Sequence, residues 1–257
     1  MNVLFIGDIV GSRAVQELCA RLPALRQQYA VDFVIANAEN SASNGLGMFV
    51  SLNEVLFAHG VDVITGGNHS WDGPDVASVL THPHVLRPAN MPDGIAGKGS
   101  VVLSTQNEPI TVINLAGQDA MEWETKLPAP LPLYPTWRTL EKTGAVIIDL
   151  HSGDVNLKQA FAHAVDGEAA AVLGTHTHEP TLPLHILPGG TALVVDVGMT
   201  GPLGGVQGFN TAPFVARLNG ASDVDFSQAA PLEGVISLGA VLLSIDGGRT
   251  NRVVRIE

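Results

Sequence analysis

The chain has 257 residues, 46% of them hydrophobic and 15% charged, with a formal net charge of −12. That balance excludes bulk binding to duplex nucleic acid, which relies on clustered lysine and arginine, but it admits a small phosphorylated ligand if metal ions supply local positive charge. The one cysteine, Cys19, excludes an internal disulfide and fits a reducing, cytoplasmic setting; the opening "MNVLFIGDIV" lacks the basic region of a signal peptide, and no apolar run approaches the ~20 residues of a membrane span.

In chain order, "NVLFIG" (2–7) reads as a strand, followed by a helix from Val15 to Tyr29 with Leu18, Leu22 and Leu25 on one face. Pro23 is expected to kink or split that helix. "VDFVIAN" (31–37) is the next strand, then a polar loop, "SASNGLG", and a helix with Ser51 as its N-cap. "VDVITGG" (61–67) is the third strand, with Pro74 near the start of the following helix. Such β–α–β units imply parallel strands buried on both faces. Shorter strands and turns fill residues 85–115, and "LPAPLPLYP" (127–135) reads as an ordered loop or short linker. "AVIIDL" (145–150), "AAAVLG" (169–174), "PLHIL" (183–187) and "TALVVDVG" (191–198) continue the strand series. Weaker strand signals follow residue 205, ending in "AVLLSI" and "NRVVRIE". No repeat or composition shift marks a boundary, so residues 1–257 are expected to form a single domain.

Polar residues recur just beyond the carboxyl ends of these strands: Asp8, then Glu39 and Asn40, Asn68 and His69, His151, and finally His176 and His178 in "GTHTHEP". Parallel α/β sheets bind ligands at that end, so five segments aim ligands at what can be one patch. Alone, each is weak: Asp8 could cap a turn, Glu39-Asn40 could open a loop, and His69 could be an ordinary loop histidine. The convergence is what carries weight. Residues i and i+2 of an extended chain face the same way, so the rings of His176 and His178 can reach one site. His82 and His84 have the same spacing, but no apolar strand feeds into them, and they read as surface loop. His59, His163 and His185 read as structural. Asp149 is expected on the opposite side of its strand from His151, supporting the site or the fold.

Carboxylates, amide oxygens and imidazoles without a thiolate suit iron, manganese or zinc and argue against Cu(I). Seven candidate ligands are too many for one transition metal but suit two ions sharing a carboxylate, roughly 3.5–4 Å apart. Such a pair activates a bridging hydroxide for in-line attack on phosphorus and neutralises phosphate charge. His69, one residue past Asn68, is then placed to protonate a leaving alkoxide. Neither a P-loop nor a G-x-S-x-G elbow is present.

"GDIVG", "NAEN", "GGNHSWD", "DLHSG", "GTHTHEPT" and "DVGMTGP", in this order from Met1 to about Pro202, resemble the calcineurin-like metallophosphoesterase superfamily and specifically its YmdB-like branch. The resemblance implies a four-layer α/β/β/α sandwich of two mixed sheets flanked by helices. It implies a dinuclear, iron-containing centre in which Asp8, Glu39, Asn40 and His178 surround one ion while Glu39, Asn68, His151 and His176 hold the other. His69 matches the general acid. The activity implied is hydrolysis of cyclic nucleotides, 2′,3′-cyclic species among them and 3′,5′-cyclic species as a further candidate. Val10 stands where the superfamily's usual Asp-x-His has histidine, with Asn40 compensating and Glu39 replacing the commoner bridging aspartate. The segments 152–159 and 203–209 depart from the branch's pattern and are candidates to line the substrate cleft. Two other readings use the same residues: a phosphomonoesterase or nucleotidase, and a non-catalytic metal- or nucleotide-binding regulator. Apolar residues near the tail leave a homo-oligomer open.

Overall fold

The computed structural model describes residues 1–106, 108–122, 127–226 and 229–256. In chain order its first half holds β1 (Asn2–Ile6), α1 (Ser12–Tyr29), β2 (Phe33–Asn37), α2 (Val50–Ala58), β3 (Val63–Thr65), a 3₁₀ turn (Asn68–Trp71), α3 (Val76–Thr81), β4 (Ser100–Ser104), β5 (Pro109–Ala116) and α4 (Gln118–Met121). The second half holds α5 (Leu133–Thr139), β6 (Ala145–His151), α6 (Val155–Ala164), β7 (Ala171–Thr175), β8 (His185–Ile186), β9 (Ala192–Val194), β10 (Gly201–Pro202), α7 (Ala212–Leu218), β11 (Ile236–Ser237), β12 (Ala240–Asp246) and β13 (Arg249–Ile256).

Two large mixed sheets result, ordered β13-β12-β1-β2-β3 and β4-β5-β6-β7-β9-β8. Within them β1-β2-β3 and β5-β6-β7-β9 run parallel, as the β–α–β pattern predicts, while β12, β13, β4 and β8 pair antiparallel. Successive side chains of a strand point to opposite faces, and β1 shows what this does. Val3 and Phe5 join Ile110, Val112, Ile147 and Leu173 in the core between the sheets. Leu4 and Ile6 face outward onto Val15, Leu18 and Leu22 of α1. On the far side, Ile148 and Val172 pack against Trp137 of α5 and Phe161 of α6. The order of layers is helix, sheet, sheet, helix, the sandwich implied above.

Two local expectations change. α1 is not split at Pro23: the helix runs through it, its buried stripe of Ala14, Val15, Leu18, Cys19, Leu22 and Leu25 spanning the proline. Phe49, still extended, precedes α2, so Ser51 lies in the first turn and makes no N-cap. The strand signals of the tail are strands in the structure: β12 pairs with β1 along Asn2↔Ser244 to Ile6↔Ala240, and β13 pairs with β12 at the sheet edge; Glu257 lies outside the described residues. Among the described residues no helix is long and apolar enough to cross a membrane.

Candidate metal centre

The tightest polar cluster lies beyond the carboxyl ends of β2, β3, β6 and β7. His151 Nε2 stands 3.1 Å from Glu39 Oε1, 2.9 Å from Asn68 Oδ1 and 3.0 Å from His176 Nδ1. Among the described residues, Glu39, His151 and His176 form a group whose ligand atoms all lie within 4.8 Å of one another. Gly67 makes this convergence sterically feasible, since a Cβ there would overlap the His151 ring and the Glu39 carboxylate.

The proton inventory of this cluster does not close without a cation. His151 Nδ1 lies 2.9 Å from Thr175 Oγ1, and that hydroxyl donates to Asp149 Oδ1 at 2.6 Å. A hydroxyl has one proton, so Thr175 accepts from His151 and the imidazole hydrogen sits on Nδ1. Nε2 therefore meets a carboxylate oxygen, an amide oxygen and a second imidazole nitrogen at once. A proton on Nε2 can point at only one of these three acceptors and leaves the other two at contact distance without a hydrogen of their own. Atoms bound about 2.1 Å from one ion stand about 3.0 Å apart at right-angle positions, which is the spacing found here. Nearby, Asp8 Oδ1 and Asn40 Oδ1 are buried acceptors with no hydrogen-bond partner among the described residues, a deficit of roughly 1–3 kcal/mol each that a cation removes. The residues present fit a metal.

Asp8, Asn40 and His178 flank this cluster. Asp8 Oδ1 lies 3.9 Å from His151 Nδ1, and Asp8 Oδ2 accepts from the His176 amide at 3.1 Å. Asn40 donates one amide hydrogen to the Gly45 carbonyl at 2.7 Å, which orients the amide and leaves its oxygen for a ligand. His178 Nδ1 donates to the Gln207 carbonyl at 2.9 Å, which leaves Nε2 with the lone pair. The two histidines do not share an extended segment as expected. β7 ends at Thr175, and both His176 (φ 97°) and His178 (φ 65°) take left-handed backbone conformations, each costing roughly 1–3 kcal/mol and stable only where the surroundings enforce it.

The charges answer one another. Burial disfavours charge on Glu39, but the His151 imidazole outweighs it and holds the carboxyl down to about 2. Burial likewise opposes charge on His151, yet Glu39 and Asp8 drive it up to about 9. Burial and the neighbouring His151 push His176 down to about 3, and burial raises Asp8. The carboxylates thus demand positive charge at this spot, and among the protein's own groups the imidazoles around them answer it, His151 beside Glu39 and His178 with His151 beside Asp8.

His69 sits at the rim. Its amide donates to Glu39 Oε2 at 3.0 Å and its Nδ1 pairs with Asp72 Oδ2 at 2.5 Å. Burial lowers its pKa, but the Asp72 carboxylate and Glu39 win, and the net direction is upward.

Asp149 corrects the expectation that it faces away from His151. Residues two apart on a strand share a face, and both point into the space between the sheets. There Asp149 accepts from Thr65 Oγ1, Asn37 Nδ2 and Thr175 Oγ1 and is pushed up to about 7 by burial. Val10 is buried against Phe209 and Ala229, so hydrocarbon occupies the place of the superfamily's usual histidine. Of the two departing segments, Leu203, Gly204, Gly205 and Gly208 line a cavity of about 340 Å³ that His178 also borders. His59, His163 and His185 are exposed and stand apart from the cluster. The focus on strand ends missed Lys158 and Asp196, which lie beneath the His176–His178 turn; the aspartate of "DVGMTGP" was the available signal.

A family model described as YmdB-like protein matches residues 4–257. The 2′,3′-cyclic-nucleotide 2′-phosphodiesterase of Bacillus subtilis (strain 168) is 36% identical over 262 aligned positions, covering 100% of this chain and 96% of that protein. Among solved structures, a hypothetical protein from Thermus thermophilus is 35% identical with a TM-score of 0.89, covering 98% of this chain and 97% of that one. A novel phosphatase of Mycoplasma pneumoniae is 30% identical with a TM-score of 0.87, covering 100% and 92%.

Proposed function

The chain belongs to the YmdB-like branch of the calcineurin-like metallophosphoesterases, a hydrolase family, and from that premise we propose that it is a dinuclear-metal phosphodiesterase acting on cyclic nucleotides. What supports the metal half of this reading most is the His151 ring nitrogen facing Glu39, Asn68 and His176 with too few protons to go round. What supports the substrate half is the likeness to the Bacillus subtilis 2′,3′-cyclic-nucleotide phosphodiesterase along the whole chain.

In this reading Glu39, Asn68, His151 and His176 hold one ion, Asp8, Asn40 and His178 hold the other, and Glu39 is shared. Iron, with manganese or zinc as substitutes, matches the nitrogen and oxygen donors. Bound there, the ions would supply positive charge to phosphate oxygens and would lower the pKa of water for attack on phosphorus. The chain's own residues do the rest. Glu39 Oε2 anchors the His69 backbone beside the centre. Asp72 keeps the His69 ring charged to higher pH than an ordinary imidazole, so a proton is at hand for the departing ribose oxygen. Val10, Phe209 and Ala229 close one side with hydrocarbon and keep bulk water away.

Metal analysis of protein purified without chelator or affinity-metal resin tests the centre. About two ions per chain, lost in Glu39→Ala, is the expected result; metal-free active protein sinks the proposal. The likeness to the Mycoplasma pneumoniae phosphatase favours a second reading, a phosphomonoesterase with the same centre. A panel of 2′,3′-cyclic, 3′,5′-cyclic and monoester nucleotides separates the two.

A further inference from the structure

Between the two candidate histidine ligands stands Thr177, and what holds it comes from two distant elements. Asp196, two residues past β9, accepts at Oδ2 from the Thr177 amide (3.1 Å), the Thr177 hydroxyl (2.8 Å) and Lys158 Nζ (3.1 Å). Its other oxygen accepts from the Gly198 amide at 2.8 Å. Lys158, on α6, also donates to the Thr175 carbonyl at 2.9 Å, the last residue before the turn. The lysine and aspartate side chains are only 1% and 3% exposed. Room for the lysine stem comes from Gly174, where a Cβ would stand 2.9 Å from Lys158 Cδ. Thr181 and Asp196 exchange two more hydrogen bonds, of 2.9 and 3.0 Å, and close the turn from its far side.

We propose that Lys158 and Asp196 are a positioning pair: they hold the His176–Thr177–His178 turn in its left-handed conformation and so set where the two imidazoles stand for a metal. This rests on the metal reading of the site. A buried ion pair is a weak source of stability, and hydrocarbon of the same volume often serves the fold as well or better. Among the described residues, four of the five side-chain hydrogen bonds of the pair fall on residues 175–177 or on each other, at the place where two non-glycine residues take backbone conformations they rarely adopt. Neither Lys158 nor Asp196 belongs to the proposed ligand set, so the pair acts through the backbone. Groups that orient ligands from behind typically govern affinity by 10–100-fold.

Calorimetric titration of the metal-free full chain with Mn²⁺ alone, alongside thermal melting of the same metal-free protein, tests this. Asp196→Ala and Lys158→Met are each expected to bind Mn²⁺ roughly 10–100-fold more weakly. Asp196→Asn, whose amide oxygen still accepts from Thr177, recovers most of the loss. Thr177→Val keeps the side-chain shape but loses the hydroxyl proton; it weakens Mn²⁺ binding while metal-free melting stays native. A merely structural role gives the reverse, with melting lowered and affinity retained. Native affinity in Asp196→Ala or Lys158→Met overturns the proposal, as does an Asn variant no better than Ala. Where those variants do not fold, Thr177→Val decides by itself, and native affinity there overturns it. Failure of the wild-type chain to bind Mn²⁺ takes down the metal reading together with this one, whereas a binding wild type with unaffected variants takes down this one only.

Discussion

Two His-x-His pairs occur in this chain, and they have opposite fates. His176 and His178 follow β7, in a turn where His176 meets His151 and Glu39 and where His178 is held by Gln207. His82 and His84 follow α3 instead. His82 stacks on Phe57 with ring centroids 4.5 Å apart, and His84 Nδ1 donates to the Asp62 carbonyl at 3.1 Å. Arg26 already pairs with the Asp62 carboxylate at 2.9 Å. His82 and His84 do border a larger cavity, about 1010 Å³, but among the described residues no three-ligand group forms there. Spacing is therefore silent about chemistry. What differs is the surroundings: one pair faces buried carboxylates at the carboxyl ends of parallel strands, and the other rests its rings on hydrocarbon and backbone.

That contrast can be broken by substitution. Replacing His176 and His178 together by alanine is expected to have the largest effect, with metal content falling from about two ions per chain to below about one and hydrolysis lost with it; native metal content in that variant erases the distinction between the pairs. His69→Ala comes next, lowering kcat by roughly 10²–10⁴-fold while metal content stays near wild type. Equal loss of metal contradicts the assigned role. Asp72→Asn sharpens the picture further. Asp72 raises the His69 pKa, so the protonated acid persists to higher pH with it than without. The alkaline limb of the kcat profile is expected to move to lower pH in the variant, and an unmoved limb removes His69 as its source. Smallest of all is the double change His82→Ala with His84→Ala. Metal content and kcat should remain native, and stability should change by about 1 kcal/mol or less.

Much of the site was legible because strand ends can be read from apolar runs, and Asp8, Glu39, Asn68, His151 and His176 all lie within three residues of one. Less legible was how the last two imidazoles are delivered. The two-residue repeat holds only while the strand does, and β7 stops at Thr175. The same repeat, applied correctly, puts Asp149 and His151 on one face, where Thr175 links them. Lys158 was out of reach for another reason. A lysine on a helix usually points to solvent, whereas this one turns inward to Asp196 and the Thr175 carbonyl, past the bare backbone of Gly174. In the fold, the parallel strands followed from their apolar runs. β12 and β13 also fall on "AVLLSI" and "NRVVRIE", but half-exposed residues of the edge strand such as Val253 and Val254 blur its alternation and weaken that signal.

The neighbour of β1 on its free side is β12, more than two hundred residues away in the chain. During synthesis β1 therefore leaves the ribosome long before that partner exists, and one of its edges stays open to unwanted pairing until the final segment emerges. The Gly7 amide, next to Asp8, is likewise tied to the Gly239 carbonyl. On the proposed metal reading, a nascent chain stalled before residue 239 lacks the anchor for Asp8, and loading with metal follows translation rather than accompanying it.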